Sequence, residues 1–291
     1  MRTDNSEKND ASEAKPLIGP STGWLDSKVS SDFLVHDRIL RSAGASAAEV
    51  VWKPGFRNRA FATAKIYDVD YLSLHLNSFT GYENPLSVQQ LHVVRDIREI
   101  IDLHEFKNTT AHPDAIPPHV YGVLAGNGIP VSIENMDRMK HFGRLPEEIE
   151  SIIQTHHVGG VLDLHHAYEL SKDMGMPYLE CVQRLFDAFG GDAYISHIHL
   201  SGELNDSGQQ IHNHAQVTRA SNREEILGGL KWVINHLSEL PAIILEGDPL
   251  PDVGVSKQNS EHPSALREGL SEIAASNISA EIQMVTKSIT G

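Results

Sequence analysis

The chain has 291 residues, enough for two ordinary domains or for one α/β barrel, which commonly needs about 250. Apolar residues make up 40% and charged residues 22%, as in an ordinary soluble globular protein, and no run approaches the roughly 18 apolar residues of a membrane span. A net charge of −15, with no run rich in Lys and Arg, opposes a grip on nucleic acid, and the single cysteine, Cys181, excludes both an intrachain disulfide framework and a thiolate zinc site.

Residues 1–16 are polar and charged and predict a disordered tail, with one domain over 17–291. Met1 is followed by polar sequence rather than a signal peptide, so a reducing, cytoplasmic location is expected. From residue 17 short apolar runs alternate with helical stretches. A strand over 17–22 precedes a helix over 30–43, and a strand over 48–53, opening with AEVV, precedes a helix over 57–66. The third strand, 70–76, carries His75. A loop composition over 77–85 follows, then a helix over 86–104, where Leu86, Val93, Ile97, Ile100 and Ile101 fall largely on one face.

The fourth strand, 107–112, ends at His112 and leads to a helix over 115–127. The fifth, 129–134, ends at Glu134 before a helix over 146–156. The sixth, 159–163, ends at Asp163 in the set LDLHH, which also supplies His166, and a helix is predicted over 176–190. The seventh, 194–200, carries His199. The loop composition after it, 201–221, holds His212 and His214, which alternate by two and on an extended segment point to one side. A helix over 222–239 leads to the eighth strand, 241–246, which ends at Glu246. A loop over 247–261 and a last helix near 262–286 complete the pattern.

Eight strand–helix units predict an α/β fold, a (β/α)8 barrel. A doubly wound open sheet is the competing arrangement. The barrel is preferred because ligand-type residues end six consecutive strands, three to eight, and a barrel gathers strand ends at one mouth. There Glu134, Asp163 and Glu246 would bring three negative charges together, and divalent cations would relieve their repulsion. Imidazoles and carboxylates without thiolates suit iron, zinc or manganese. The predicted ligands are His75, His112, Glu134, Asp163, His166, His199, His212, His214 and Glu246. Of these, His75, Glu134, Asp163, His199 and Glu246 are the expected catalytic core. Asn135, His165, Tyr168 and Asp248 are candidate supports behind the ligands. No GxxxxGK[ST], no GxGxxG after a strand and no GxSxG is present, which sets phosphate-loop and serine chemistry aside.

At these residues the chain resembles the xylose-isomerase-like barrel superfamily over roughly residues 17–285. One likeness within it is to the endonuclease-IV-like phosphodiesterases, through His75, His112, Glu134 in IEN, Asp163 and His166 in DxxH, His199, His214 and Glu246. Another is to the multinuclear non-heme iron-dependent oxidases, through ENPLSVQQLHVVRDI, IEN, LDLHHAY, IHLSG with IHNHAQV, and ILEGDPLPD. Both families carry an aspartate where this chain has His212, and the oxidases carry asparagines at His165 and His166. The resemblance to the oxidases implies two or three metal ions, iron first with zinc or manganese as alternatives. It also implies dioxygen chemistry on a thiol-bearing peptide or small metabolite, with delivery of a peptide by a partner protein left open. The alternatives are a metal-dependent phosphoester hydrolase, a sugar isomerase or epimerase using only Glu134, Asp163, His199 and Glu246, and a non-catalytic metal-binding protein. No membrane partner is expected, and a nucleic-acid partner is disfavoured by charge.

Overall fold

The computed structural model describes residues 15–53, 55–76, 91–204, 214–251, 253 and 264–291. In chain order the first half holds β1 (Ile18–Pro20), α1 (Gly23–Lys28), α2 (Phe33–Ala43), β2 (Ala47–Val51), α3 (Phe56–Phe61), β3 (Tyr71–His75), α4 (Leu91–His104), β4 (Asn108–Ala111) and α5 (Pro118–Gly126). The second half holds β5 (Val131–Glu134), α6 (Pro146–His156), β6 (Gly159–Asp163), α7 (Leu164–Met174), α8 (Tyr178–Ala188), β7 (Ile195–Leu200), α9 (Arg223–Ile234), β8 (Ala242–Leu245) and α10 (Ser264–Thr290).

All eight strands are parallel and lie in the order β1-β8-β7-β6-β5-β4-β3-β2. The seam between β1 and β2 closes through one bridge, Ser21 with Glu49, and through the Ser46 N–H to Ile18 O and Thr22 N–H to Glu49 O bonds at 3.0 and 2.8 Å. Gly19 permits that closure, because a Cβ there would sit 1.6 Å from the carbonyl oxygen of Ala47. The result is the predicted (β/α)8 barrel.

Period-2 alternation gives each strand two destinations. Leu72 and Leu74 of β3, Ile198 and Leu200 of β7, and Ile243 and Leu245 of β8 join the main apolar cluster shared with the surrounding helices. Each such side chain stabilises the fold by roughly 1.5–3 kcal/mol when fully buried. Ala47, Ala242 and Ile244 form a separate small cluster with Leu17 and Tyr71, which fills the N-terminal end of the barrel interior. Along α2 and α10, Ile39, Ala43, Leu270, Ala274 and Ile278 pack together and cover the seam side of the ring.

The helices depart from expectation in several places, the helices predicted over 57–66 and 222–239 ending early, at Phe61 and Ile234. The stretch predicted as one helix over 30–43 begins at Phe33, because Asp32 is extended and its side chain accepts the Leu34 N–H at 2.9 Å as an N-cap. A short helix, α1, lies ahead of it. The sequence reading placed no helix over 164–174, yet α7 occupies it with no intervening loop, since Asp163 is at once the last residue of β6 and the N-cap of α7. The predicted tail falls outside the described residues apart from residues 15 and 16, as do all or most of the predicted loops 77–85 and 247–261, residues 205–213 of the loop 201–221, and the first turn of the helix predicted from 86. Among the described residues no helix is long and apolar enough to cross a membrane.

Candidate metal centre

The strands deliver their terminal polar residues to one place. Register pairs Asp163 with His199 across β6 and β7, and both side chains face inward and are fully buried. Glu134, at the end of β5, is 1% exposed and stands at the middle of the group. Its Oε2 lies 3.1 Å from His75 Nε2 and 3.2 Å from His112 Nε2, and its Oε1 lies 3.2 Å from His199 Nδ1 and 3.5 Å from His166 Nδ1. Glu246 Oε1 is 3.4 Å from the same His199 Nδ1, and Glu246 Oε2 is 3.7 Å from His214 Nδ1.

Four overlapping groups whose donor atoms lie close enough to share an ion result: His75, His112 and Glu134; Glu134, Asp163, His199 and Glu246; Asp163, His166 and His214; and Glu49, His75, His199 and Glu246. Eight of the nine residues singled out in the sequence therefore meet at the C-terminal mouth. The ninth, His212, lies outside the described residues.

Local structure holds these side chains still. Asp163 Oδ1 accepts the His166 N–H at 2.7 Å, so the positive end of α7 faces the mouth and favours a carboxylate there. Asn135 clamps the same turn: its side chain donates to Asp163 O and accepts from the Asp163 N–H, at 2.9 and 2.8 Å. The Asn135 carbonyl, which only accepts, lies 2.8 Å from His166 Nδ1 and so puts the proton of a neutral His166 on that nitrogen, leaving Nε2 as its ligand atom. His214 sits on a segment bridged to Gly202 through Ala215 and anchored to α10, where Glu281 accepts from the Val217 N–H and Gln216 Nε2 at 2.6 and 2.8 Å. Gly247 lets that segment lie against the exit of β8, since a Cβ would come within 2.4 Å of the Gln216 backbone. From the other side, Trp24 Nε1 of α1 donates to Glu246 O at 2.9 Å, and the buried Lys28 pairs with Asp248.

Of the expected supports, Asn135 does the clamping just described. His165 is buried, 4.0 Å from Glu169 and ring-to-ring with His166 and His214. Asp248 faces α1 rather than a ligand, and the Tyr168 ring packs against Tyr178 and under Lys172.

Two inward residues escaped the sequence reading. Glu49 of β2 and His197 of β7 are each 0% exposed and lie one layer below the ligands. Glu49 brings the carboxylates gathered here to four, with Glu134, Asp163 and Glu246. The detectable signal was its position: a charged residue within AAEVV, a run otherwise suited to burial on both faces, has to be paired.

The charges are strongly interdependent. Burial alone would raise Glu134, but His199 and hydrogen bonds from His112, His199 and His75 hold its carboxyl well below the usual range. Glu246 is pushed up to about 8, first by burial, with Glu134 and Asp163 adding. Asp163 is also raised, by burial and then by Glu134, against the pull of His166. Burial opposes protonation of His166, yet Asp163 and Glu134 outweigh it and lift the imidazole to about 9. Protons on the imidazoles thus neutralise carboxylates that cations would otherwise neutralise. Asp163 Oδ2 and His75 Nδ1 are buried without a hydrogen bond, as expected of atoms suited to a cation rather than to each other. The donor set fits two or three divalent ions bound by nitrogen and oxygen.

No protein-family model matches the chain, and no curated protein does. Solved structures share its fold. A xylose isomerase domain containing protein from Salmonella typhimurium LT2 superposes with a TM-score of 0.58 at 13% identity, covering 95% of this chain and 98% of that one. Endonuclease IV from Thermus thermophilus gives 0.55 at 15% identity, over 90% and 99% of the two chains. D-Psicose 3-epimerase from Clostridium cellulolyticum gives 0.57 at 10%, over 94% and 99%. The chain thus shares the (β/α)8 barrel fold of these three proteins.

Proposed function

We propose that this chain is a multinuclear metal-dependent hydrolase of phosphoesters. The observation that carries the reading is the convergence of His75, His112, His166 and His214 on the mouth already furnished by Glu134, Asp163, His199 and Glu246. One ion of the epimerase kind needs only the last four and leaves the other histidines without work. Endonuclease IV among the fold neighbours supports the hydrolytic reading.

Bound divalent ions would supply Lewis acidity at the phosphoryl oxygens and activate water. The residues of this chain set the geometry for that chemistry. Glu134 and Asp163 each belong to two of the ligand groups and would hold neighbouring ions in common. The four carboxylates bring four negative charges, so two or three divalent ions leave the site neutral or positive toward an anionic substrate.

The substrate proposed is a small or terminal phosphoester rather than a nucleic acid held by its backbone. The net charge of −15 supports this. So does the pairing of basic side chains on segments around the mouth: Arg138 and Arg144 share Asp173, Lys140 meets Asp114, and Lys172 meets Glu203.

The test is metal analysis of the purified chain, followed by hydrolysis of p-nitrophenyl phosphate and bis-p-nitrophenyl phosphate. More than one equivalent of metal, with hydrolysis lost to chelator and restored by zinc or manganese, supports the proposal. Full metal loading with no hydrolysis of either ester sinks it.

A second reading, an iron oxidase acting on a thiol, rests on the local sequence likeness around IEN, LDLHHAY and ILEGDPLPD. None of the structures compared above is such an oxidase. Iron in the as-purified protein, with oxygen consumed in the presence of a thiol-bearing peptide, would favour it over hydrolysis. Sugar epimerisation that survives a His75→Ala/His112→Ala double substitution would favour a single-ion centre.

A further inference from the structure

Barrel interiors are ordinarily filled by branched apolar side chains, but the layer beneath this cage is polar. Glu49 occupies its centre. Ser73 Oγ and Thr110 Oγ1 donate to Glu49 Oε2 at 2.9 and 2.8 Å. Glu49 Oε1 faces His199 Nε2 at 3.1 Å without an aligned hydrogen bond. His197 Nε2 approaches the same His199 nitrogen at 3.1 Å, and its Nδ1 lies 2.9 Å from Tyr71 OH and 3.2 Å from Ser196 Oγ.

The charged one of these neighbours, Glu49, favours hydrogen on the His199 nitrogen that faces it. A carboxylate only accepts, so a bare Nε2 would set lone pair against lone pair at 3.1 Å in a fully buried place. With the hydrogen on Nε2, the lone pair lies on Nδ1. That nitrogen is the one facing Glu134, Glu246 and Asp163, at 3.2, 3.4 and 4.0 Å.

We propose that Glu49 is a positioning residue of the metal centre, holding His199 as its Nε2–H tautomer so that Nδ1 is presented to the ions, without itself touching them. The inference rests on the metal-centre reading above. Ser73 and Thr110 fix the carboxylate from below, so the imidazole is braced against the barrel wall rather than against a loop. Glu49 does lie within ligand reach of His75, His199 and Glu246. Its shortest approach among these imidazoles, however, is to the back nitrogen of His199 and not to the nitrogen that faces the cage. Carboxylates placed behind ligating imidazoles fix tautomer and raise ligand basicity, and their loss typically weakens metal binding about 10- to 100-fold.

The experiment titrates the metal-free full-length chain with zinc against a chromophoric chelator and records visible absorption of the cobalt-loaded protein. Four proteins are compared: wild type, Glu49→Gln, the double variant Ser73→Ala/Thr110→Ala, and His199→Ala as the reference for loss of a ligand. Glu49→Gln changes charge at nearly constant volume, while the double variant keeps the carboxylate but frees it, so a folding failure in one leaves the other informative. Expected is an unchanged number of zinc equivalents, one of them weakened about 10- to 100-fold in Glu49→Gln and less in the double variant, with shifted cobalt bands. Unchanged affinities and spectra in both variants overturn the proposal. Complete loss of one equivalent in Glu49→Gln, matching His199→Ala, also overturns it and makes Glu49 a direct ligand. A wild-type chain that takes up neither zinc nor cobalt overturns the metal centre itself, a result distinct from both.

Discussion

The two faces of β7 differ in kind although they alternate residue by residue. Ile198 and Leu200 turn outward into the apolar layer under the helices, while His197 and His199 turn inward to Glu49, Glu134 and Glu246. The same division runs through β3, where Leu72 and Leu74 face out and Ser73 and His75 face in. Packing on the outer face is additive, close and indifferent to charge. On the inner face every group depends on its neighbours, since Glu134 alone touches four imidazoles. Stability is concentrated in the first layer and chemistry in the second, so substitutions in the two should have opposite signatures.

Removing Glu134 should give the largest effect. Glu134→Ala is expected to reduce metal-dependent activity by more than about 100-fold, the upper end of what outer-shell partners of a metal cost. Metal analysis should show the loss directly. A Glu134→Ala protein that retains full metal and activity would end the distinction between layers. On the outer face, Leu74→Ala should cost about 2–5 kcal/mol in a urea titration with metal stoichiometry unchanged in the folded protein.

Glu281→Ala probes the bridge between the layers. It strips partners from the Val217 N–H and Gln216, so a loss of about 1–3 kcal/mol is expected, together with weaker binding of the ion served by His214. Unaltered metal affinity in this variant would uncouple α10 from the mouth.

A drift of stability with pH is also expected in the metal-free protein. Glu246 is raised from 4.5 to about 8 and His166 from 6.5 to about 9, so the folded state binds protons the unfolded chain has released. Their contribution is complete below the ordinary values and fades as pH climbs through about 8 and 9. Glu134 and Glu49, both lowered, act oppositely and lose their contribution as pH falls below the usual carboxylate value. Melting temperature should therefore decline from near neutral pH toward pH 9, whereas metal affinity should grow over the same range as ligands deprotonate. A flat melting profile would contradict the charge coupling across the inner face.

The strands were legible because parallel strands covered on both sides read as apolar runs, and GGVLD and AIIL do so. Residues at the ends of those runs, such as Glu134 and Glu246, stood out by contrast with what preceded them. α7 did not stand out, since it begins without a loop and its first turn, LHH, reads as part of the ligand motif. Glu49 and His197 were concealed for a related reason: both lie inside a strand rather than at its end, so they mark no boundary.

Local composition by itself thus determined the succession of strands and most of the helices, the barrel they imply and most of the polar residues at its mouth, because burial periodicity is written along the chain. Only the closed ring decided which of those residues meet, how Glu134 is shared among imidazoles and what lies behind His199. Those relations join β2, β3, β5 and β7, elements far apart in sequence, and distances across a barrel exist only once it has closed.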